Sequence, residues 1–215
     1  MDEKNGHFGM AESYATNSDS QKTIGQEVIN RAVAEARTYF ESRPEKKRIR
    51  VLDVACGPGN LTCLLRTELM KALPGVEVEV VGLDYSGENV DRLVANSEGQ
   101  IHGVTSSFFN AATFPQEFDL VFSNEGLHWQ PPREMEEIIY SHLPEGEREG
   151  YERWALANLT RALSNIHRAL AEGGLAVLQF GHQGQLAALW QLVKEVLEEP
   201  AFLQYKHRYQ FPSFL

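Results

Sequence analysis

The sequence is poor in the features that would mark it for secretion, a membrane or a nucleic acid. Only two of its 215 residues are cysteine, Cys56 and Cys63. Neither a disulfide framework nor a metal cluster is supported, and the expectation is a chain of the reducing cytoplasm that holds no metal. No apolar run approaches the ~20 residues of a membrane-spanning helix, and the N-terminal stretch contains no apolar signal core. Positive charge is scarce, with 20 Lys and Arg against 30 Asp and Glu and a formal net charge of −10. A field of that sign repels phosphate backbones, which argues against a nucleic-acid partner. The one basic cluster, Lys46-Lys47-Arg48-Arg50, precedes the first strand and reads as a solvated strand edge. Internal repeats and low-complexity segments are absent. What remains, 42% hydrophobic and 23% charged, has the composition of a single α/β domain with a substantial core.

The rest of the chain is arranged around Arg48 to Asn60. An apolar strand breaks into Ala55-Cys56-Gly57-Pro58-Gly59, and a helix follows with Leu61, Leu64, Leu65 and Leu69 on one face. Strand, glycine turn, helix opens a mononucleotide-binding βαβ unit, with glycine where the backbone turns sharply or admits a ligand. Asp53 lies at the carboxyl end of the strand, where open α/β sheets bind ligands. A dinucleotide fingerprint counted from Gly57 would need a third glycine at position 62, which is Thr62. A nicotinamide-dependent oxidoreductase is therefore disfavoured. The second strand, Val76 to Asp84, ends in an acid 25 residues after Gly59. A carboxylate there can accept both hydroxyls of a ribose lying across the sheet, although Asp84 is also placed to cap the helix from Gly87 to Asn96.

With Asp53-Val54-Ala55-Cys56-Gly57-Pro58-Gly59 read as D-x-(G/A)-x-G-x-G, the sequence resembles the class I S-adenosylmethionine-dependent methyltransferases. Ala55 replaces that family's first glycine. The resemblance implies a doubly wound, mostly parallel, Rossmann-like α/β sheet with S-adenosylmethionine as cofactor. It implies cofactor contacts from Asp53, Ala55, Gly57, Gly59, Asn60, Asp84 and Tyr85. After a third strand, Ile101 to Ser107, it implies that Asn110 meets the adenine amino group while Phe109 covers the ring. The fourth strand, Phe118 to Asn124, runs into Glu125-Gly126-Leu127-His128-Trp129. That S-N-x-x-L-x-W run is similar to methyltransferases of small carboxylic acids, such as those acting on trans-aconitate and malonyl-carrier protein. The likeness implies a cofactor contact from Asn124 and an acceptor contact or base in His128, whose alternative is a structural hydrogen bond. Trp129 walls the pocket or packs in the core. Tyr14 belongs to a lid or packs as an ordinary aromatic, and His182 approaches the acceptor or sits in an exposed loop.

The expected organisation is a mobile segment over residues 1–20, a methyltransferase domain over 21–198 with a surface insertion at 131–150, and an aromatic tail over 199–215. Ser18-Asp19-Ser20 precedes a helix from Gln21 to Glu41. An amphipathic helix from Glu152 to Ala171 ends at Gly173-Gly174, and the fifth strand runs from Leu175 to Phe180. The resembled family adds an antiparallel hairpin beside that strand, for which no room is found. The tail, or a second copy in a homodimer, would then cover the fifth-strand edge. The functional expectation is methyl transfer to a small molecule, at a carboxylate or hydroxyl oxygen. The alternative is a protein that binds S-adenosylmethionine or S-adenosylhomocysteine without turnover.

Overall fold

The structure, a computed structural model, describes residues 19–109, 117–127 and 145–179, with the side chains of 19–24, 145–152 and 154–156 outside that description. Its elements in chain order are α1 (Asp19–Glu41), β1 (Arg48–Val54), α2 (Asn60–Ala72), β2 (Glu77–Asp84) and α3 (Gly87–Asn96). They continue with β3 (His102–Thr105), β4 (Phe118–Asn124), α4 (Glu145–Ala169) and β5 (Leu170–Gln179). The five strands pair in the order β3-β2-β1-β4-β5, every pair parallel. The order reverses between β1 and β4, and that switch point opens a crevice at the carboxyl ends of the strands.

Alternation along β1 decides which helices cover which face. Ile49 and Val51 join Ile29, Ala36 and Phe40 of α1 and Leu65 and Leu69 of α2 in one core. Leu52 and Val54 join Ala162, Ile166 and Ala169 of α4 in the other. Strands buried on both faces read as continuous apolar runs, as β1 and β4 do. Among the described residues no helix is long and apolar enough to cross a membrane.

Several expected boundaries move. The third strand is shorter than Ile101 to Ser107, and α4 begins at Glu145, inside the expected insertion, and ends at Ala169. Gly173 and Gly174 do not terminate that helix. They lie within β5, where the register slips so that Phe118 faces Leu170 but Leu120 faces Leu175. Gly173 has φ +72°, and a Cβ on Gly174 would lie 2.9 Å from the carbonyl oxygens of Ala171 and Phe118. A two-glycine bulge therefore mimics a helix stop. Leu170, expected on the helix, is the first residue of β5.

The basic cluster before β1 is not merely solvated, because carboxylates engage it. Lys46 pairs with Asp119, Arg48 with Glu79, and Arg50 with Glu79 and Glu117. Asp119, 3% exposed, also accepts from the Tyr39 hydroxyl (3.2 Å) and the Arg50 amide (2.9 Å). This locks α1 to the start of the β1–β4 pair. The aromatic tail and the question of a hairpin lie outside the described residues.

Candidate active site

The turn after β1 is built from left-handed backbone: Ala55 has φ +59°, Gly57 +55° and Gly59 +87°. L side chains rarely adopt that region, and Ala55 accepts a cost of ~1 kcal/mol to do so. The two glycines serve different ends. A Cβ on Gly59 would lie 2.3 Å from Leu93 Cδ1 and 3.0 Å from the Leu93 Cα, so α3 packs directly on this backbone. A Cβ on Gly57 would meet nothing within 4 Å. Gly57 thus faces open space at the mouth of the crevice. No side chain caps α2, whose N-cap is Gly59. Its first-turn amides, beginning at the exposed Asn60, are the donors a helix start offers an anionic group.

Asp84 closes the other side of this mouth. Its Oδ2 accepts from the Gly57 amide (2.9 Å), while Oδ1 accepts from the Ser86 amide (2.9 Å) and from Asn89 Nδ2 (3.2 Å). The carboxylate is 4% exposed. Ser86 rather than Asp84 caps α3, accepting from the Asn89 amide at 3.3 Å. Three donors leave a carboxylate with about one further acceptor direction. Tyr85, beside it, is 73% exposed.

Asp53 lies beneath the turn, 2% exposed, and accepts from the Thr62 hydroxyl at 2.6 Å. Burial pushes its carboxyl up from 3.8 to about 7, the Thr62 bond opposes the shift, and the nearby Asp84 charge adds to it. Thr62, at the position where a dinucleotide site would have glycine, instead ties α2 to β1. Cys56 is buried between the same acids, and its thiol is pushed up by burial, then by Asp53, then by Asp84, so it stays neutral.

On the β3 side, Phe108 and Phe109 stack at 4.2 Å, and Asn165 of α4, fully buried, donates from Nδ2 to the Phe108 carbonyl at 2.8 Å. Phe109 is thereby fixed at the rim, half-buried. On the β4 side, Ser123 donates to the Val54 carbonyl at 2.8 Å and joins the two strand tips. Asn124 Oδ1 is buried with no hydrogen-bond partner among the described residues. Glu125 follows at φ +56°. A Cβ on Gly126 would lie 2.5 Å from Ala55 Cβ, so the loop after β4 rests on the glycine turn. Sequence reasoning missed Thr62, Glu125, Gly126 and Gln179. The Glu-Gly pair after a buried strand was the available signal for two of them.

The structure therefore gathers Asp53, Ala55, Gly57, Gly59, Asn60, Asp84, Tyr85, Phe109 and Asn124 along one carboxyl edge. Tyr14, Asn110, His128, Trp129 and His182 lie outside the described residues. The described rim segments (53–60, 84–88, 105–109, 124–127 and 179) carry Asp53, Asp84, Glu88 and Glu125 and no Lys or Arg. Among the described residues no His, Cys, Asp and Glu cluster suits a metal ion. Hollows of about 260 Å³ beside Phe40 and Pro74 and about 240 Å³ beside Arg66 and Gln100 border none of Gly57, Asp84 or Glu125.

A doubly wound sheet with an open glycine turn beside an acid on the second strand defines a nucleoside-binding α/β protein. The methyltransferase domain family matches residues 45–209, and the chain belongs to that family. Among solved structures it is similar to a TehB-like SAM-dependent methyltransferase from Corynebacterium glutamicum. That likeness has 20% identity and a TM-score of 0.52, covering 87% of this chain and 83% of the other. It is also similar to an S-adenosylmethionine-dependent methyltransferase from Clostridium acetobutylicum, at 15% identity and TM-score 0.44, covering 70% of this chain and 49% of the other. No curated protein matches the sequence. The fold agrees with that family membership, and S-adenosylmethionine is the cofactor that the sequence resemblance implies.

The residues present suit that cofactor. The space at Gly57 is one a Cβ would invade, the Asn124 oxygen is a buried acceptor awaiting a donor, and an acidic rim suits a sulfonium.

Proposed function

We propose that the chain transfers a methyl group from S-adenosylmethionine to a small-molecule acceptor, at a hydroxyl or carboxylate oxygen, in the cytoplasm. The observation that carries this is the open, left-handed Gly57 turn whose amide is hydrogen-bonded to Asp84. When bound, the cofactor supplies a methyl carbon already activated by a sulfonium. The protein's task is then to align nucleophile and methyl at ~3 Å and exclude water.

In this reading Asp84 accepts from a ribose hydroxyl through its remaining acceptor direction, and Tyr85 lies along the same edge. Gly57, Gly59 and the α2 amides from Asn60 cradle the amino-acid tail. Asp53 supports the turn through Thr62, and Ala55 keeps the first position narrow. Phe109 covers the adenine, with Asn110 at its amino group, and Asn124 Oδ1 accepts from a donor of the cofactor. His128 serves as base or acceptor contact, with Trp129, Tyr14 and His182 around the acceptor. An ionised carboxylate acceptor would need no base, whereas a hydroxyl would gain ~10² to 10⁴ in rate from one. Two free cysteines suit a reducing compartment. A second copy along the β5 edge is the oligomer this reading carries.

The test is calorimetry with S-adenosylmethionine on Asp84→Ala and on the shape-conserving Asp84→Asn. Losing a bond from one ribose hydroxyl to a charged acceptor, about 1.5–3 kcal/mol, should weaken binding about 10- to 150-fold while circular dichroism stays that of the wild type. Unchanged affinity in a folded variant refutes the assignment.

A further inference from the structure

The loop after β4 carries a feature that cofactor binding does not require. Glu125 is a non-glycine residue at φ +56°, a strained backbone state that persists where surroundings enforce it. Gln179, at the tip of β5, enforces it twice. Its carbonyl accepts from the Glu125 amide at 3.0 Å, and its Nε2 donates to Glu125 Oε1 at 2.7 Å. The carboxylate is thus held across the tips of β4 and β5, on the opposite side of the switch point from Asp84. The next residue, Gly126, touches the glycine turn at Ala55. A donor with its tail in that turn, as the methyl-transfer reading has it, lies beside this loop. The charged side chains on the described rim segments are Asp53, Asp84, Glu88 and Glu125. All four cations that precede or open β1 lie at the other end of the strands.

Resting on the methyl-transfer reading above, we infer that Glu125, clasped by Gln179 on the acceptor side of the crevice, determines acceptor specificity and selects an amine- or hydroxyl-bearing molecule over a carboxylic acid. A carboxylate fixed in a half-buried crevice attracts an ammonium or accepts from a hydroxyl, and it repels a second carboxylate. This narrows the oxygen acceptors allowed above to the hydroxyl and adds the amine.

The test needs no known acceptor. Calorimetry compares S-adenosylhomocysteine with sinefungin, the analogue in which a carbon-borne ammonium stands where the methylated sulfonium would be. In Glu125→Gln, sinefungin affinity should fall about tenfold while S-adenosylhomocysteine affinity changes less than about threefold. Glu125→Asp, which keeps the charge, should recover much of the difference. A parallel loss for both ligands, or none for either, overturns the inference and leaves the methyl-donor reading standing. Failure of both ligands to bind the wild type overturns that reading, and this inference with it. With the wild-type protein, faster methylation of a carboxylic acid than of its matched amine and alcohol also overturns the inference.

Discussion

Gly57 and Gly59 lie two residues apart in one turn, yet alanine should affect them in opposite ways. Gly57→Ala places a methyl where nothing lies within 4 Å, so the folded chain bears only the cost of a left-handed alanine. That cost is ~1 kcal/mol, a fall in melting temperature of about 2–4 °C. The same methyl enters the volume assigned to the cofactor tail. With an overpacking penalty of about 1–3 kcal/mol there, S-adenosylmethionine affinity should drop about 5- to 150-fold. Gly59→Ala sets its methyl 2.3 Å from the fully buried Leu93 side chain and 3.0 Å from the Leu93 Cα, which no rotamer change can relieve. Strain and overpacking together should cost about 2–5 kcal/mol of stability. Urea unfolding and calorimetry on both variants read the two effects separately. If Gly57→Ala binds the cofactor as tightly as the wild type, or unfolds more readily than Gly59→Ala, the division of labour assigned to this turn is wrong.

Asp53 makes the fold pH-dependent. An acid held at about 7 in the folded chain against 3.8 ordinarily binds its proton more tightly when folded, so stability falls as pH rises between about 4 and 7. The loss approaches about 4 kcal/mol above that window, and Asp53→Asn should abolish most of it. Urea midpoints of both proteins from pH 4.5 to 8 should therefore diverge, and parallel curves would contradict the assignment. Asp119→Ala strips Lys46, the Tyr39 hydroxyl and the Arg50 amide of their shared acceptor. A loss of about 3–5 kcal/mol is expected, with Asp119→Asn milder, and a thermal shift below ~2 °C would count against the lock.

Positions at the candidate site were legible in the sequence where local geometry alone fixes them. The D-x-A-x-G-x-G turn must bend sharply, an acid ending the next strand must sit beside it in a parallel pair, and the helix from Gly87 to Asn96 follows without a gap. These are consequences of a few adjacent residues, so the sheet, its crevice and the positions of Asp53, Gly57, Gly59 and Asp84 follow from order along the chain. The glycine pair at Gly173-Gly174 misled for the converse reason. Glycine relieves a positive φ in a helix stop and in a strand bulge alike, and only pairing with β4 distinguishes them. Likewise no spacing rule links Glu125 to Gln179, Thr62 to Asp53, or Lys46 to Asp119. Hydrophobic period and turn chemistry act over a few residues, so the order of residues along the chain set the class of fold and the sheet edge that carries the glycine turn and Asp84. Which of two glycines is packed and which is open, and that Gln179 clasps Glu125 across the tips of β4 and β5, came only from the folded arrangement. Those properties arise where residues distant in the chain meet, Gly59 with Leu93 and Glu125 with Gln179.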